Sequence, residues 1–561
     1  MYNVVKTVEK DGRRIGFVLR EINVEKNIYF SEEDTRILCS KNQVLNVRYT
    51  GKQFRKRQGR MSDFPVVQYN RIYPKSTKKI KGYVEEKEYS CRTGDALQRY
   101  INITLKGISK ERDFVKHMMR YCRDDRVSRG KVYAISGLRS TGKSIGMCQC
   151  IRRLKNYDKT VYIQFVRGKD IEFNVLSDIL IDLPDDIKYI FIDEISAVRN
   201  FVHCSGTLAD NYTLDGKKVV IAGTDSYAIE CAFGDGLFHR CIVKNITFIS
   251  YEEYVRTIGG SLKDYLTSGG LYEASSYQGV QGLKSYINTS VVGNITSTIL
   301  KNKLVDFYGV SEQDIRTATY IVLYAIIYSN ANKLSFDRII NATVSNKVSS
   351  DERDYFRMFI DQSLDTKQGK QIDICVIKKV LQALEYMHVV TTCTNISVYC
   401  EKKYTNYYIV SPYLVNNLYS MLVDFMLSLG GRVRQRNFSP VNGMVLESIL
   451  ITHAINYSGY ECYFYHNMKN HSEVDLVLLN SDMSKVEVDT YLVEIKLSDK
   501  PEVAYAKGHW VREISGGDFM ENNIEIVSRK ILYMGKTDKE HGLVNCKEFL
   551  DNIGDLSSIL L

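Results

Sequence analysis

Proline is scarce. Six residues in a chain of 561 leave few rigid linkers between its parts. Long apolar runs are missing too: no stretch of about 18 uninterrupted apolar residues occurs, so no membrane span is expected. The opening MYNVVKTVEKDGRR lacks the apolar centre of a signal peptide. The thirteen cysteines form no CxxC pair. Cys148 and Cys150 flank Gln149, and the others lie far apart. They read as reduced thiols of a cytoplasmic protein, not as a metal site. No internal repeat or low-complexity tract stands out. The apolar fraction of 44% and charged fraction of 25% are those of an ordinary globular chain. Forty Tyr and 21 Phe supply core material and exclude a mostly disordered chain.

The length exceeds what one hydrophobic core organises and points to about three or four domains. Charge is unevenly placed. From Met1 to Arg92 there are 21 Lys and Arg against 11 Asp and Glu, an excess that equals the net +10 of the whole chain. Lys52, Arg55, Lys56, Arg57 and Arg60 are followed by Arg71, Lys75, Lys78, Lys79 and Lys81. Such a segment is either an arm attracted to phosphate backbones or a solvated lysine-rich surface. The local asymmetry favours nucleic acid, with DNA first.

RIGFVLREI and QVLNVRYTG read as strands on either side of a short polar helix near Glu32 to Ser40. Residues 95 to 122 read as helical. Then KVYAISG, TVYIQF, YIFIDEI and KVVIAGT supply short apolar runs with helical stretches between most of them. Each reads as a strand buried on both faces, and the alternation predicts a doubly wound α/β core with a parallel sheet over roughly 125 to 260. IRTATYIVLYAIIY predicts a long apolar helix. VIKKVLQALEYMHVV predicts an amphipathic one, and TNISVYC and NYYIVSP after it pair as a hairpin, which suggests a winged helix. From about 440 the pattern returns to α/β: a helix around Leu446 to Ile455, then ECYFYHN, EVDLVLLN and TYLVEIKLS.

GLRSTGKS, from Gly137 to Ser144, fits G-x-x-x-x-G-K-[ST] in full, between a predicted strand and a predicted helix. Its chemistry needs that placing. Gly137 and Gly142 let the backbone N–H groups of Arg139, Ser140 and Thr141 turn inward around phosphates, and the helix N-terminus adds its dipole. Lys143 neutralises the β- and γ-phosphates of ATP, and Ser144 holds Mg²⁺. YIFIDE ends a buried strand on two acids, Asp193 for Mg²⁺ and Glu194 to polarise the attacking water. A further strand ends near Thr224, Asp225 and Ser226. Thr224 is the candidate for sensing the γ-phosphate or placing the water, and a plain turn is the competing reading. Arg240, in LFHR, is a candidate phosphate contact in its own subunit or a neighbour's.

These pieces resemble the bacterial and archaeal AAA-type ATPases that end in a restriction-endonuclease-like domain of unknown function. GLRSTGKS, YIFIDEI and VVIAGTDS carry the superfamily likeness. ISYEEY at 249 to 254, YLTSGGLYE at 265 to 273, and EVDLVLL with LVEIK carry the family likeness. It spans about residues 125 to 500, and His239 before Arg240 departs from the family's Gly-Arg. The resemblance implies ATP and Mg²⁺ as ligands on an α/β, multidomain chain. The basic strand-rich module over 1–92 falls outside the resemblance, which implies an AAA-like P-loop ATPase domain, placed over 93–264, a helical and winged-helix region over 265–435, and a nuclease-like domain over 436–561.

In the last of these, Glu494 and Lys496 alternate along a strand and share a face. Asp475 lies in the preceding strand and Glu447 on the helix before it. Together they resemble the PD-(D/E)XK pattern: Asp475 and Glu494, with Glu447, would hold a second Mg²⁺, and Lys496 would orient the attacking water. A commonplace Glu–Lys pair, or a fold kept for binding without activity, competes with that. Three functions follow: an ATP-dependent switch on nucleic acid, an ATP-gated nuclease, and a nucleotide-dependent scaffold for a protein partner or a second copy.

Overall fold

The computed structural model describes the strand backbones within residues 1–87 and, beyond them, residues 88–561 except 167–170, 235–236, 247, 273–278, 303–309, 345–371, 398–404, 429–441, 468–471, 481–487, 509–510, 512 and 520–523. The chain divides into two units, Met1–Lys87 and Glu88–Leu561.

The first unit is one sheet of seven strands: β1 (Tyr2–Lys10), β2 (Arg13–Glu21), β3 (Asn27–Ser31), β4 (Val44–Arg48), β5 (Phe54–Arg55), β6 (Val66–Val67) and β7 (Arg71–Pro74). Their order is β5-β6-β3-β2-β1-β4-β7. β1 and β2 pair antiparallel with Lys10 opposite Arg13, the close register expected around an Asp-Gly connection. Both strands read from the sequence are present. The expected helix near Glu32 to Ser40 and the basic side chains from Lys52 to Lys81 lie outside the described residues.

The second unit opens on a six-stranded sheet: β8 (Tyr89–Arg92), β9 (Val132–Ser136), β10 (Thr160–Phe165), β11 (Tyr189–Asp193), β12 (Lys218–Ala222) and β13 (Cys241–Asn245). The order is β13-β9-β12-β11-β10-β8. The four apolar runs are its centre; β9, β11 and β12 are buried along their whole length. Only β8 runs antiparallel, against β10. It ties residues 89–92 to this sheet, so the basic module stops short of the expected boundary at 92. Helices α1 (Gly94–Thr104), α2 (Phe114–Arg123) and α3 (Lys143–Leu154) pack on one face.

Downstream lie α4 (Tyr251–Thr257), α5 (Leu262–Ser268), α6 (Gly279–Tyr286), α7 (Gly293–Asn302), α8 (Glu312–Asn332), α9 (Ile374–Tyr386), α10 (Pro412–Ser428) and α11 (Gly443–Tyr457). The long apolar helix is α8. It is buried on all sides from Ala318 to Ile327, as a helix without a polar face must be. The hairpin forms from β14 (Val390–Asn395) and β15 (Thr405–Ile409). It does not stand alone. β14 also runs parallel to β16 (Glu461–His466), which leads into β17 (Glu473–Asn480), β18 (Val488–Ile495), β19 (Ile524–Tyr533) and β20 (Leu543–Asn545). The expected division at 435/436 therefore cuts through one seven-stranded sheet. A free hairpin edge leaves backbone groups unpaired, and joining the next sheet satisfies them.

One hydrophobic core runs from Leu138 and Ile249 through α8 and α10 to Leu560. At its seam His453 of α11 is fully buried. Its Nδ1 lies 2.7 Å from Ile449 O and its Nε2 2.9 Å from the Tyr265 hydroxyl, with the Phe248 ring edge-on at 5.0 Å. Burial pulls the imidazole pKa down to about 4. The unfolded chain therefore binds a proton that the folded chain resists. Stability from this group is complete above its ordinary value near 6.5 and is lost as pH falls from there toward 4. The full effect is about 3 kcal/mol. Thermal melts of the native chain and His453→Gln should both drop on acidification, the native chain more steeply between pH 6.5 and 4.5. Parallel curves would refute the assignment.

Candidate functional site

β9 enters the loop at Gly137 and α3 begins at Lys143. Gly137 has φ +153°, and a Cβ there would run into the Ile246 carbonyl. Gly142 is left-handed at φ +82°, and a Cβ would lie 2.5 Å from Arg112 Nη1. Both positions require glycine. The Lys143 ammonium, buried with its residue 5% exposed, donates to the Gly137 and Leu138 carbonyls at 2.7 Å each. Thr141 Oγ1 donates to Leu138 O at 2.9 Å. Arg139 and Ser140 are partly exposed on the loop.

The register of the parallel strands brings the remaining candidates to the same edge. Asp193 pairs with Ala222, and Ala222 with Ile135. The tips of β9, β12 and β11 therefore stand side by side, with the sensor strand between the loop strand and the acidic strand. Asp193 is buried. Its Oδ2 accepts from the Tyr162 hydroxyl at 2.7 Å and its Oδ1 from the Glu194 N–H at 3.0 Å. The Ser144 hydroxyl lies near enough to the same carboxylate to help hold its pKa down. Burial first, then the Glu194 charge, raise the Asp193 pKa; Ser144, Tyr162 and Lys143 work against them. A serine hydroxyl and a carboxylate brought together beside the phosphate loop fit the oxygen preference of Mg²⁺. Glu194 is left-handed at φ +59°, a conformation that turns the chain at the strand tip. Thr224 Oγ1 donates to Glu194 Oε2 at 3.0 Å.

Arg240 is not part of this group. It precedes β13, and its carbonyl accepts the Val132 N–H at the start of β9. Parallel strands put their starts at the end opposite the P-loop, about 15 Å away over five residues. The side chain is half-exposed and pairs with Asp210 at 2.6 Å. The expectation of an own-subunit phosphate contact is corrected: Arg240 lies at the opposite end of its own sheet from the P-loop.

Residues 129–255 match the AAA domain family. The segment that carries the loop and the acids is thus an AAA-type P-loop ATPase domain, with nucleotide as its expected ligand. No curated protein matches the sequence. Among solved structures, Cdc6p from Pyrobaculum aerophilum aligns at 12% identity over 62% of this chain and 97% of its own, with TM-score 0.19. The Orc1 protein of Aeropyrum pernix, in complex with DNA, aligns at 11% over 56% and 93%, with TM-score 0.19. The S. cerevisiae Hsp104-ADP complex aligns at 9% over 62% and 48%, with TM-score 0.22. Superpositions this loose do not transfer a partner.

Groups that motif reading missed also pack around the loop and the acids. Arg112 is 1% exposed, and its Nε lies 2.5 Å from Glu253 Oε1. Glu253 also accepts the Asp113 N–H at 2.8 Å. Asn294 Nδ2 donates to the carbonyls of Thr224 and Ser290. Glu253 belongs to ISYEEY, so its motif was visible although its role was not. Nothing local marked Arg112 or Asn294.

In the C-terminal sheet, Asp475 Oδ2 accepts the Ile495 N–H at 2.8 Å and lies 3.6 Å from Lys496 Nζ. Lys496 also pairs with Glu494 Oε1. Among the described residues Glu494 Oε2 has no hydrogen-bond partner, and it is buried. Burial and then the Asp475 charge raise the pKa of Glu494, and push that of Glu447 up to about 8. Lys333, at the end of α8, bonds Glu473 at 3.0 Å, and both line a cavity of about 120 Å³ with Glu447. Among the described residues no group of three or more His, Cys, Asp or Glu is arranged to hold a metal ion. The eleven described cysteines are free thiols, and no helix among the described residues is long and apolar enough to cross a membrane.

Proposed function

We propose that this chain hydrolyses ATP and uses the cycle as a switch on nucleic acid. The observation that carries hydrolysis is the placing of Glu194, held by Thr224, on the strand tip next to the loop strand's neighbour. Lys143 and the loop N–H groups bind the phosphates. Ser144 and Asp193 would hold Mg²⁺, which supplies charge neutralisation at the β- and γ-oxygens. Glu194 takes the proton of the attacking water, and Thr224 keeps its carboxylate aimed. Nucleic acid is supported by the charge excess confined to residues 1–92. The helix Ile374–Tyr386 with the hairpin after it supports a winged-helix-like role in binding. DNA is favoured as the partner, with assembly into a homo-oligomer the setting in which Arg240 would act.

The test is ATP turnover by the whole protein with and without double-stranded DNA across a range of salt. Stimulation that fades as salt rises is expected. Turnover indifferent to DNA would sink the switch and leave a protein-binding scaffold.

One observation favours a second activity, Mg²⁺-dependent cleavage in the C-terminal nuclease-like sheet. Glu494 Oε2 is buried with no hydrogen-bond partner among the described residues, and a carboxylate oxygen so placed suits a cation. Asp475 and Glu494 would hold it and Lys496 would orient water; Glu447 is not grouped with them closely enough to make a third ligand.

A further inference from the structure

Five successive P-loop carbonyls are all taken up by donors. Lys143 holds those of Gly137 and Leu138 from within the loop. The next three are fastened from outside the β9–α3 unit. The Tyr286 hydroxyl donates to Arg139 O at 3.2 Å. The Tyr272 backbone N–H donates to Ser140 O at 2.5 Å. Arg112 Nη1 donates to Thr141 O.

A trans peptide is a rigid plate. The C=O of one residue and the N–H of the next point in opposite directions from it. Fastening the carbonyls of Arg139, Ser140 and Thr141 therefore aims the N–H groups of Ser140, Thr141 and Gly142 to the other side. Successive N–H groups aimed to one side form the concavity that binds phosphate. We infer that Tyr286, Tyr272 and Arg112 are positioning residues of the nucleotide site. They set its affinity for the diphosphate portion of a nucleoside di- or triphosphate by holding the loop backbone in its binding shape.

The fasteners are anchored away from the loop. Arg112 is gripped by Glu253 of α4, and its guanidinium lies over the Phe114 and Tyr272 rings. Tyr286, fully buried, ends α6 and packs edge-on against Tyr413 of α10 at 5.7 Å. Tyr413 in turn donates its N–H to Gly269 O at 3.1 Å, next to the turn that presents Tyr272. The helices beyond residue 250 thus hold the loop's aim. By reciprocity, whatever shifts α6 against α10 changes nucleotide affinity, and nucleotide resists that shift by the same free energy.

The inference rests on the nucleotide-binding reading, and the full-length chain tests it with Mg·ATP and Mg·ADP as probes. Tyr286→Phe removes one hydroxyl and keeps the ring packing. Its Kd for both nucleotides should rise about three- to ten-fold, the value of one lost neutral hydrogen bond. KM should rise in step, with kcat at saturation little changed. Amide exchange in the 137–142 peptide should quicken relative to the rest of the protein. Tyr324→Phe, a buried tyrosine on α8 whose hydroxyl meets Met421 Sδ, should match the native Kd. A native Kd in Tyr286→Phe, or a fall in kcat with Kd unchanged, would overturn the inference. A native chain that binds neither nucleotide would instead overturn the nucleotide reading itself.

Discussion

Glu194→Gln should bind ATP nearly as tightly as the native chain and turn it over at least about 100-fold more slowly, the low end of what a positioned general base contributes. The side chain is 4% exposed and already held by a hydroxyl. Glutamine fills the same volume, and its amide oxygen still accepts from Thr224, so shape and burial survive. It cannot take up the proton of the attacking water. The substitution also leaves Lys143, Ser144 and Asp193 untouched, so the binding groups are intact. The left-handed backbone at Glu194 is kept as well, since glutamine meets the same steric limits. Phosphate release over hours, with retained ATP counted in parallel, reads both halves. Native turnover would remove Glu194 from the role of base.

Legibility followed burial. The four central strands were visible because each is a mostly apolar run, three of them buried along their whole length, and a parallel sheet demands such runs. The edge strands were not. β13, CIVKN, is partly exposed along its length, and β8 is four residues against one neighbour, so neither carries a continuous apolar signature. The phosphate loop and the Asp193–Glu194 pair were legible because their chemistry is local: one loop, one strand tip. Thr224 was narrowed to a short turn for the same reason. Arg240 misled because four residues in sequence give no hint of which end of a strand they occupy; the topology decided that. Arg112 and Asn294 were silent because their partners lie 141 and 70 residues away. A hairpin after the helix was legible, but its first strand lies upstream of the expected TNISVYC, at Val390–Asn395, and its attachment to β16 depends on a contact across roughly seventy residues that no local pattern encodes.

Lys143→Ala should lose Mg·ATP binding by at least about 100-fold, close to 2.7 kcal/mol. Two losses combine. The ammonium proposed to neutralise the phosphates disappears, and charge-assisted bonds of this kind contribute about 1.5–3 kcal/mol each. The Gly137 and Leu138 carbonyls, held by that ammonium at 2.7 Å, lose their donor as well, so the first two peptide plates of the loop lose their aim. Folding should survive, because the core around α3 is built by Met147, Cys148, Cys150 and Ile151 on its buried face, not by Lys143. Ligand-induced stabilisation separates binding from folding. A ligand at 100 times its Kd stabilises the native chain by about 2.7 kcal/mol and raises its melting temperature. In Lys143→Ala that rise should vanish while the melt without ATP stays in place. In Glu194→Gln the rise should persist, since binding is retained and only chemistry is removed. A Lys143→Ala protein that still shifts with ATP would place the phosphates somewhere other than this loop.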